Sequence, residues 1–380
     1  MATKKSAPRA AATKKRPGKQ TATKKAAPKT AAKGAGAKTT ALARRPVPAT
    51  LVTGGTGFLG AHLVRHLVAT GERRVRVLAT SAPGWLEELG VEVVSGSITD
   101  AEAVGRAVEG VGAIYHLAGR VSRRRDDAHL MYELHVDGTR LLCQAARAAG
   151  AREMLLVSTS GTIAVTDDAD VTPDEQWPAP LDIISRWPYY ASKFYQERAA
   201  LEHFTGAGLR LVIAHPSLLL GPGDERLSST QVVLDFLARK IASVPLGGLS
   251  FVDARDVAAV LPAALARGAH GERYLLGAVN WSFAKFFDRL ARLSKVDGPR
   301  FSLPGKLAVS GARALDTLYR HWRLTPPVRP DEIEQAEYFW YLDASKAQRE
   351  LGFAARDPQE TLQDTIAYVR TRFLGKGAFA

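Results

Sequence analysis

The sequence of 380 residues contains one cysteine, Cys143, and three methionines. A single cysteine excludes a disulfide within the chain and fits a protein of the reducing cytoplasm. There is no clustered cysteine and histidine spacing of the kind that holds a metal ion. No apolar run reaches the roughly 18 residues that a membrane-spanning helix requires, and there is no secretory leader pattern. We therefore expect a cytoplasmic protein without a metal site or a membrane span.

Acidic residues are absent from residues 1–45, which contain 14 lysines or arginines. The rest of the chain carries 38 basic residues, the total of 52 less these 14, against 38 acidic ones, so the net charge of +14 belongs to this segment. The motif ATKK recurs there at Ala2, Ala12 and Ala22, and few side chains could be buried. This composition predicts a disordered basic tail.

The Lys, Ala and Pro content of this tail resembles the basic tails of linker histones, by composition alone. Such a tail can bind the phosphates of nucleic acid or another polyanion without reading sequence. A solubilising spacer arm is the alternative interpretation. A cleaved organellar presequence is disfavoured, because the lysine bias and the glycine and proline breaks spoil an amphipathic arginine-rich helix.

After the tail, residues 49–71 read ATLVTGGTGFLGAHLVRHLVATG, an apolar strand, a glycine-rich turn and an amphipathic helix. In this context Gly54, Gly57 and Gly60 indicate a dinucleotide site. Residues without a side chain let the backbone approach a pyrophosphate, and the positive end of the helix dipole faces the phosphates. The expected cofactor is NAD or NADP.

Further apolar strands are predicted at 75–78, 91–94, 113–117, 154–157 and 209–214, separated by helix-like segments. This alternation predicts an α/β fold with a doubly wound parallel sheet, the Rossmann arrangement. The second strand is followed by Ala79, Thr80 and Ser81, so neither an acid for the ribose 2′-hydroxyl nor an arginine for a 2′-phosphate stands there. The choice between NAD and NADP stays open.

The stretch PYYASKF, residues 188–194, places two tyrosines before a lysine. Residues four apart share a helix face, so Tyr189 and Lys193 are expected to project together, whereas Tyr190 points elsewhere. An ammonium group near a phenol lowers the pKa of the tyrosine and makes it a usable acid or base. Tyr190 is expected to line or pack the pocket.

Several motifs in order resemble the extended short-chain dehydrogenase/reductase family, that is, the NAD-dependent epimerase/dehydratase group, and within it the dihydroflavonol-reductase and 3β-hydroxysteroid-dehydrogenase branch. These motifs are TGGTGFLG at 53–60, YHLAG at 115–119, LLVSTSG at 155–161, YYASK at 189–193, HPSLLLGPGD at 215–224, FVDARDVA at 251–258 and DASKAQRELGF at 343–353. The resemblance runs from about residue 51 to residue 369.

The resemblance implies a catalytic set of Ser160, Tyr189 and Lys193, with Thr159 as the alternative to Ser160. Tyr189 would exchange the proton, Lys193 would lower the pKa of that tyrosine and bind the nicotinamide ribose, and the hydroxyl would orient the substrate oxygen. The residues implied to contact the cofactor are Gly54, Gly57, Phe58, Leu59, Gly60, Ala118, Lys193 and Pro216.

Two positions depart from the family pattern: Ser97 replaces an acid in GSITD, and His135 replaces an asparagine in HVDGT. We expect His135 to be structural. The arginines that follow YHLAG, at 120 and 123–125, could meet an anionic substrate, but a solvated loop balanced by Asp126 and Asp127 is the favoured interpretation.

Three regions are expected: the tail at 1–45, a dinucleotide-binding domain at 46–277 and a small C-terminal substrate-binding lobe at 278–380. The aromatic run YFWY, residues 338–341, either lines the substrate pocket or forms a buried strand. The family also implies a homodimer formed through the helices at 137–149 and 189–203.

The resulting hypothesis is an NAD(P)-dependent oxidoreductase that acts on an alcohol or ketone of medium size, possibly apolar. A sugar-nucleotide epimerase or dehydratase is the enzymatic alternative. A third class is a non-catalytic dinucleotide sensor anchored to nucleic acid by its tail, against which the retained tyrosine, lysine and serine argue.

Overall fold

A computed structural model describes residues 48–72, 74–204, 209–299, 305–322 and 329–375. The predicted basic tail at 1–45 lies outside the described residues. The described residues belong to one compact unit.

The strands alternate with helices along the first two thirds of this unit, as the sequence predicts. They are β1 Ala49–Thr53, β2 Val75–Ala79, β3 Glu92–Ser95, β4 Val111–His116, β5 Glu153–Val157, β6 Arg210–Pro216, β7 Leu218–Leu220, β8 Gly248–Asp253, β9 Glu272–Leu276, β10 Val279–Ser282 and β11 Phe339–Trp340.

The helices flank the strands and close the chain. They are α1 Phe58–Ala69, α2 Gly84–Glu88, α3 Ala101–Val108, α4 Ala128–Tyr132, α5 Gly138–Ala148, α6 Leu181–Ile184, α7 Pro188–His203, α8 Gln231–Leu237, α9 Ala254–Arg267, α10 Phe283–Ser294, α11 Gly305–His321, α12 Pro330–Ala336, α13 Ser345–Leu351 and α14 Pro358–Val369. A π-helical turn, Glu133–Asp137, joins α4 to α5.

The main sheet has seven strands in the order β3-β2-β1-β4-β5-β6-β9, and every pair is parallel. All five residues of β1 are buried, as expected for a parallel strand covered on both faces. One apolar cluster packs α1 and α9 on one face, and a second packs α3, α5 and α7 on the other. The predicted doubly wound parallel sheet is confirmed.

A smaller sheet lies beyond the main one and pairs β8 with β7, β10 and β11. Strand β8 comes before residue 278, whereas β10 and β11 come after it, so the two parts of the chain share this sheet. A third apolar cluster covers it with α8, α10 and α14. The C-terminal part is therefore anchored to the core through strand pairing.

Because the main sheet is parallel, the carboxyl ends of β1, β4, β5 and β6 meet at one edge, where the chain turns at 54–57, 117–119, 158–162 and 217. This edge is where open α/β sheets bind their ligands. No helix among the described residues is long and apolar enough to cross a membrane.

Candidate active site

The glycine turn between β1 and α1 is shaped by backbone contacts that leave no room for side chains. Gly54 has a φ of +72°, and a Cβ there would lie 2.7 Å from the backbone of Leu117 and Ala118. A Cβ on Gly60 would lie 2.1 Å from the carbonyl oxygen of Gly54. The turn thus needs glycine at both positions, for conformation and for close packing of strand and helix.

Helix α1 begins at Phe58, and its N-cap, Gly57, supplies no side-chain hydrogen bond. The first N–H groups of the helix therefore have no side-chain cap, and they can bind a phosphate. Leu59 is buried beneath the helix, and Phe58 is half-buried at its start. This geometry fits the pyrophosphate of a dinucleotide, as the sequence predicts.

The other residues implied for the cofactor lie at the same edge. Ala118 follows β4, and its N–H donates to the Thr53 hydroxyl at 3.2 Å, which ties the ends of β1 and β4 together. Pro216 is the last residue of β6. Ser97, which stands where the family has an acid, is hydrogen-bonded to Thr99 through the two hydroxyls, 2.9 Å apart.

Tyr189 is the second residue of α7, after Pro188 at the first helical position. Burial raises the pKa of Tyr189, and nearby Tyr190 also raises it, while a hydrogen bond with the Thr159 side chain acts in the opposite direction. The structure therefore brings Tyr189 together with Thr159, the alternative to Ser160. Ser160 is itself buried and begins the 3₁₀ turn Ser160–Thr162 after β5.

Lys193 lies one helical turn after Tyr189, on the same face of α7. Its Nζ donates to the carbonyl oxygen of Val157 at 2.8 Å and to Oε1 of Gln196. Burial lowers the pKa of Lys193 to about 8, although the negative charge of Glu197 acts to raise it.

The effect of Lys193 on the pKa of Tyr189 stays a prediction, since burial, Tyr190 and Thr159 are the causes of the shift at this tyrosine. The pKa of Tyr189 is raised, because the cost of burying a phenolate dominates. The lysine directs two of its protons to Val157 and Gln196. Tyr189 consequently keeps its proton over the neutral range and could donate it to a carbonyl oxygen.

His135 holds the start of α7 in place from the π-helical turn. Its Nε2 accepts from the N–H of Arg120 at 3.1 Å, so Nδ1 carries the proton and donates to the Ser192 hydroxyl at 2.8 Å. That hydroxyl donates in turn to the carbonyl oxygen of Tyr189 at 2.8 Å. Burial, followed by the charge of Lys193, holds the pKa of His135 well below its usual range. The ring is therefore neutral and positions the backbone of Tyr189.

Tyr190 packs against the aromatic run of the C-terminal part. Its ring stacks on Trp340 with centroids 4.8 Å apart and an interplanar angle of 27°, and it meets Trp187 edge-on at 6.1 Å. A Cβ on Gly161 would lie 2.3 Å from the ring of Tyr190. These rings form an apolar wall directly beside Tyr189, whose own ring lies 5.1 Å from that of Tyr190.

Two of the four arginines after β4 are paired with acids of α12. Arg125 donates to both carboxylate oxygens of Asp331 at 2.7 and 2.8 Å, and Arg123 lies 3.8 Å from Glu332. The expected balance by neighbouring acids holds in part, since Arg124 lies 3.6 Å from Asp126. Arg120 likewise lies 3.6 Å from Asp127, so two of the four arginines are balanced by neighbouring acids and two by a helix about 200 positions later in the chain.

Sequence reasoning missed a buried polar network behind Lys193. His116 lies 2.7 Å from the Thr53 hydroxyl through Nδ1 and 2.8 Å from the Thr139 hydroxyl through Nε2. Gln196 donates to Thr139 at 2.9 Å and accepts from Lys193. Burial, followed by the charge of Lys193, lowers the pKa of His116 to about 3, so this ring is neutral. Polar residues on the sheet-facing side of α7 were the available signal.

Glu197 was also missed, although it stands one turn after Lys193. It is buried, and its carboxylate accepts from the hydroxyls of Ser158 and Thr162 and lies 3.1 Å from Nε2 of His215. Within the described residues, no group of three or more His, Cys, Asp and Glu side chains could hold a metal ion.

The model of the NAD-dependent epimerase/dehydratase family matches residues 50–277. A sterol demethylase protein B of Methylococcus capsulatus is 32% identical over 332 residues, which cover 85% of this chain and 98% of that protein. A putative dihydroflavonol 4-reductase of Synechocystis is 32% identical over 335 residues, covering 84% and 96%.

Among solved structures, the UDP-glucose 4-epimerase of Thermus thermophilus in complex with NAD has a TM-score of 0.66 at 21% identity. The match covers 84% of this chain and 98% of that one, and it supports the same fold. The glycine turn, the family match and the two relatives agree: the chain belongs to the NAD-dependent epimerase/dehydratase family, which confirms the expectation of an NAD(P)-dependent enzyme.

Proposed function

We propose that the protein is an oxidoreductase that transfers a hydride between nicotinamide and the carbon of an alcohol or ketone, with Tyr189 exchanging the proton. In the reducing direction the substrate carbon gains the hydride, and the O–H bond of Tyr189 breaks as the substrate oxygen takes the proton. A bound dinucleotide would supply or accept the two electrons as hydride. The tyrosine recovers its proton from solvent, so one ketone, one hydride and one proton become one alcohol.

The observation that carries this proposal is the contact between Tyr189 and Thr159 at the carboxyl edge of the sheet. Two hydroxyl groups in contact can both bind one carbonyl oxygen, one as the proton donor and the other as a fixed hydrogen-bond donor. We assign the orienting hydroxyl to Thr159, and Ser160 is the alternative from the sequence.

The dinucleotide would be held by the residues implied from the sequence. Gly54, Gly57 and Gly60, with Phe58 and Leu59, would surround the pyrophosphate at the start of α1. Ala118, Pro216 and Lys193 would lie along the nicotinamide half, where the ends of β4, β6 and the face of α7 meet. The buried ammonium of Lys193 has a proton beyond the two it gives to Val157 and Gln196, and this proton is available to the ribose.

Two features favour an apolar alcohol or ketone over a sugar nucleotide as the substrate. The wall of Tyr190 and Trp340 beside Tyr189, with Trp187 buried against it, offers apolar surface. Arg123 and Arg125, which could otherwise bind a diphosphate, are paired with acids of α12. The two relatives at 32% identity are named as acting in sterol demethylation and dihydroflavonol reduction, in accord with this substrate class.

The test is a titration of the full chain with NAD, NADH, NADP and NADPH, followed by a screen of alcohols and ketones at the absorbance of the reduced nicotinamide. Sugar nucleotides form the second arm of the screen. Turnover of apolar ketones with loss of reduced nicotinamide supports the proposal. Conversion of sugar nucleotides without net change in reduced nicotinamide would instead identify an epimerase or dehydratase.

We also propose that residues 1–45 bind nucleic acid or another polyanion. The support is the concentration of the whole net charge in this segment. Binding through such a segment depends on counterion release rather than on sequence. A homodimer formed through the helices at 137–149 and 189–203 remains a prediction, as do the boundaries at residues 45 and 277.

A further inference from the structure

Glu197 is a buried carboxylate one helical turn after Lys193 and two turns after Tyr189. Its side chain is 9% exposed, and a buried charge is stable only when it is compensated. Oε1 accepts a hydrogen bond from the Ser158 hydroxyl and a second from the Thr162 hydroxyl at 2.8 Å, and it lies 3.1 Å from Nε2 of His215. One oxygen atom thus joins three elements: the turn after β5, the face of α7 and strand β6.

The two hydroxyls that bind Glu197 lie on either side of Thr159 in the chain. Ser158 directly precedes Thr159, and Thr162 is the last residue of the 3₁₀ turn that follows it. The Thr162 hydroxyl also lies 2.9 Å from the carbonyl oxygen of Thr159, so its single proton is shared between that oxygen and Glu197. Fixing both ends of this short turn fixes the direction in which the Thr159 hydroxyl points toward Tyr189.

The carboxylate also acts through its charge. Burial alone would raise the pKa of Glu197, but the interaction with His215 and the hydrogen bonds from Ser158 and Thr162 outweigh it and hold that pKa below its usual range. The group is therefore a full negative charge at neutral pH. In a buried site such a charge stabilises an ammonium one helical turn away.

We propose that Glu197 is a positioning residue of the reductase: its carboxylate holds the 158–162 turn that carries Thr159, and its charge keeps Lys193 protonated. The inference rests on the proposed function and deepens it. Glu197 contacts neither substrate nor the reacting atoms in this account. It acts through Thr159 on one side and through Lys193 on the other.

The charged and titratable groups around Lys193 come from several elements. Glu197 and Tyr189 lie on its own helix, His116 faces it from β4, and His135 faces it from the π-helical turn. Both histidines are neutral at physiological pH for the reason already given. Glu197 therefore provides the negative charge that opposes the cost of burying the lysine.

Two substitutions separate the role of the charge from that of the geometry. Glu197→Gln keeps an oxygen that can accept from Ser158 and Thr162 but removes the charge. Glu197→Asp keeps the charge but shortens the side chain by one methylene, so the turn loses its support. The control is Glu202→Gln, which removes an exposed carboxylate from the last turn of α7, about 13 Å further along the helix axis than Lys193.

The first measurement is a pH titration of lysine side chains by NMR in the full chain labelled with ¹³C-lysine, with Lys193→Met identifying the signal. It needs no substrate. We expect the pKa of Lys193 to fall in Glu197→Gln and to stay at its wild-type value in Glu197→Asp and Glu202→Gln. An unchanged pKa in folded Glu197→Gln would overturn the charge role.

The second measurement is the pH profile of turnover with a ketone from the screen. In Glu197→Gln, the decline of turnover at high pH should begin at a lower pH than in the wild type. In Glu197→Asp, the decline at high pH should stay at the wild-type pH, and the affinity for the reduced nicotinamide should be retained. The kcat should fall by about 10- to 100-fold, because a misplacement of about 1 Å costs this much.

If Glu197→Gln fails to fold, Glu197→Asp still tests the positioning role, because a wild-type kcat in that variant would overturn it. Failure of the proposed function can be distinguished from failure of the Glu197 proposal. If the function is wrong, the wild-type protein will not turn over ketones, while the NMR titration will still report whether Glu197 controls the charge of Lys193.

Discussion

Tyr190 stacks on Trp340 with ring centroids 4.8 Å apart, so the tyrosine next to Tyr189 faces the C-terminal part of the chain. The two rings lie nearly parallel, at 27°, and Gly161 leaves the space that the Tyr190 ring fills. Adjacent tyrosines on one helix thus have separate surroundings. Tyr189 contacts a hydroxyl at the sheet edge, and Tyr190 forms part of an aromatic wall.

The first prediction concerns the hydroxyl beside Tyr189. Thr159→Val keeps the shape of the side chain but removes the hydroxyl, so turnover should fall by about 10²- to 10³-fold, the usual cost of losing one donor to a reacting oxygen. Ser160→Ala should change turnover by less than about threefold. Steady-state kinetics with the best ketone of the screen provides the measurement. A larger loss in Ser160→Ala than in Thr159→Val would restore the assignment from the sequence.

The choice between Thr159 and Ser160 shows where sequence reasoning reaches its limit at the site. The motif predicted that a hydroxyl follows β5, but the direction of each hydroxyl depends on where the strand ends. Ser158 faces Glu197, whereas Thr159 contacts Tyr189. Glu197 and Tyr189 lie two turns apart on α7, so a shift of one position after β5 changes the partner of the hydroxyl.

The glycine turn and the parallel strands were predictable because their signals are local. A strand, a turn without side chains and a helix follow one another within 23 residues, at 49–71. The partners of Glu197 and of Arg125 were not predictable in this way. His215 lies on a different strand, and Asp331 lies 206 positions from Arg125, so only the folded chain brings these pairs together.

The second prediction tests the dinucleotide site. A side chain on Gly57 would lie 3.2 Å from the carbonyl oxygen of Gly54 at its Cβ, and the further atoms of valine would stand where phosphates approach the helix. Gly57→Val should weaken cofactor binding at least tenfold in a fluorescence titration. The control is Gly105→Ala in α3, where a Cβ meets open space and the helix gains up to about 1 kcal/mol. Equal cofactor affinity in both variants would refute the site.

The third prediction is a loss of ketone reduction at high pH. Burial lowers the pKa of Lys193 to about 8, so the ammonium is present below this pH and is lost above it. Since the charged form binds the ribose and favours proton release from Tyr189, turnover should fall as the pH rises through about 8. Rates measured between about pH 6 and 9.5 test this. A rate that stays level to the top of that range would show that Lys193 remains charged or that its charge is not needed.

The fourth prediction separates the tail from the enzyme. Removing residues 1–45 takes away 14 basic residues and no acids, so binding to a DNA duplex should be lost and ketone turnover should stay near that of the full chain. In the full chain, raising salt from about 50 to 200 mM should weaken binding steeply, without dependence on DNA sequence. DNA binding that survives the deletion would place the basic site in residues 46–380.

The central claim is that Tyr189 donates the proton, and the adjacent tyrosine makes it directly testable. Tyr189→Phe removes only the hydroxyl, and ketone turnover should fall by roughly 10²- to 10⁴-fold with cofactor affinity nearly unchanged. Tyr190→Phe keeps the ring that stacks on Trp340 and should retain turnover close to that of the wild type. The decisive measurement is kcat for both variants with one ketone at one pH: an inactive Tyr189→Phe beside an active Tyr190→Phe is expected, and the reverse would contradict the account.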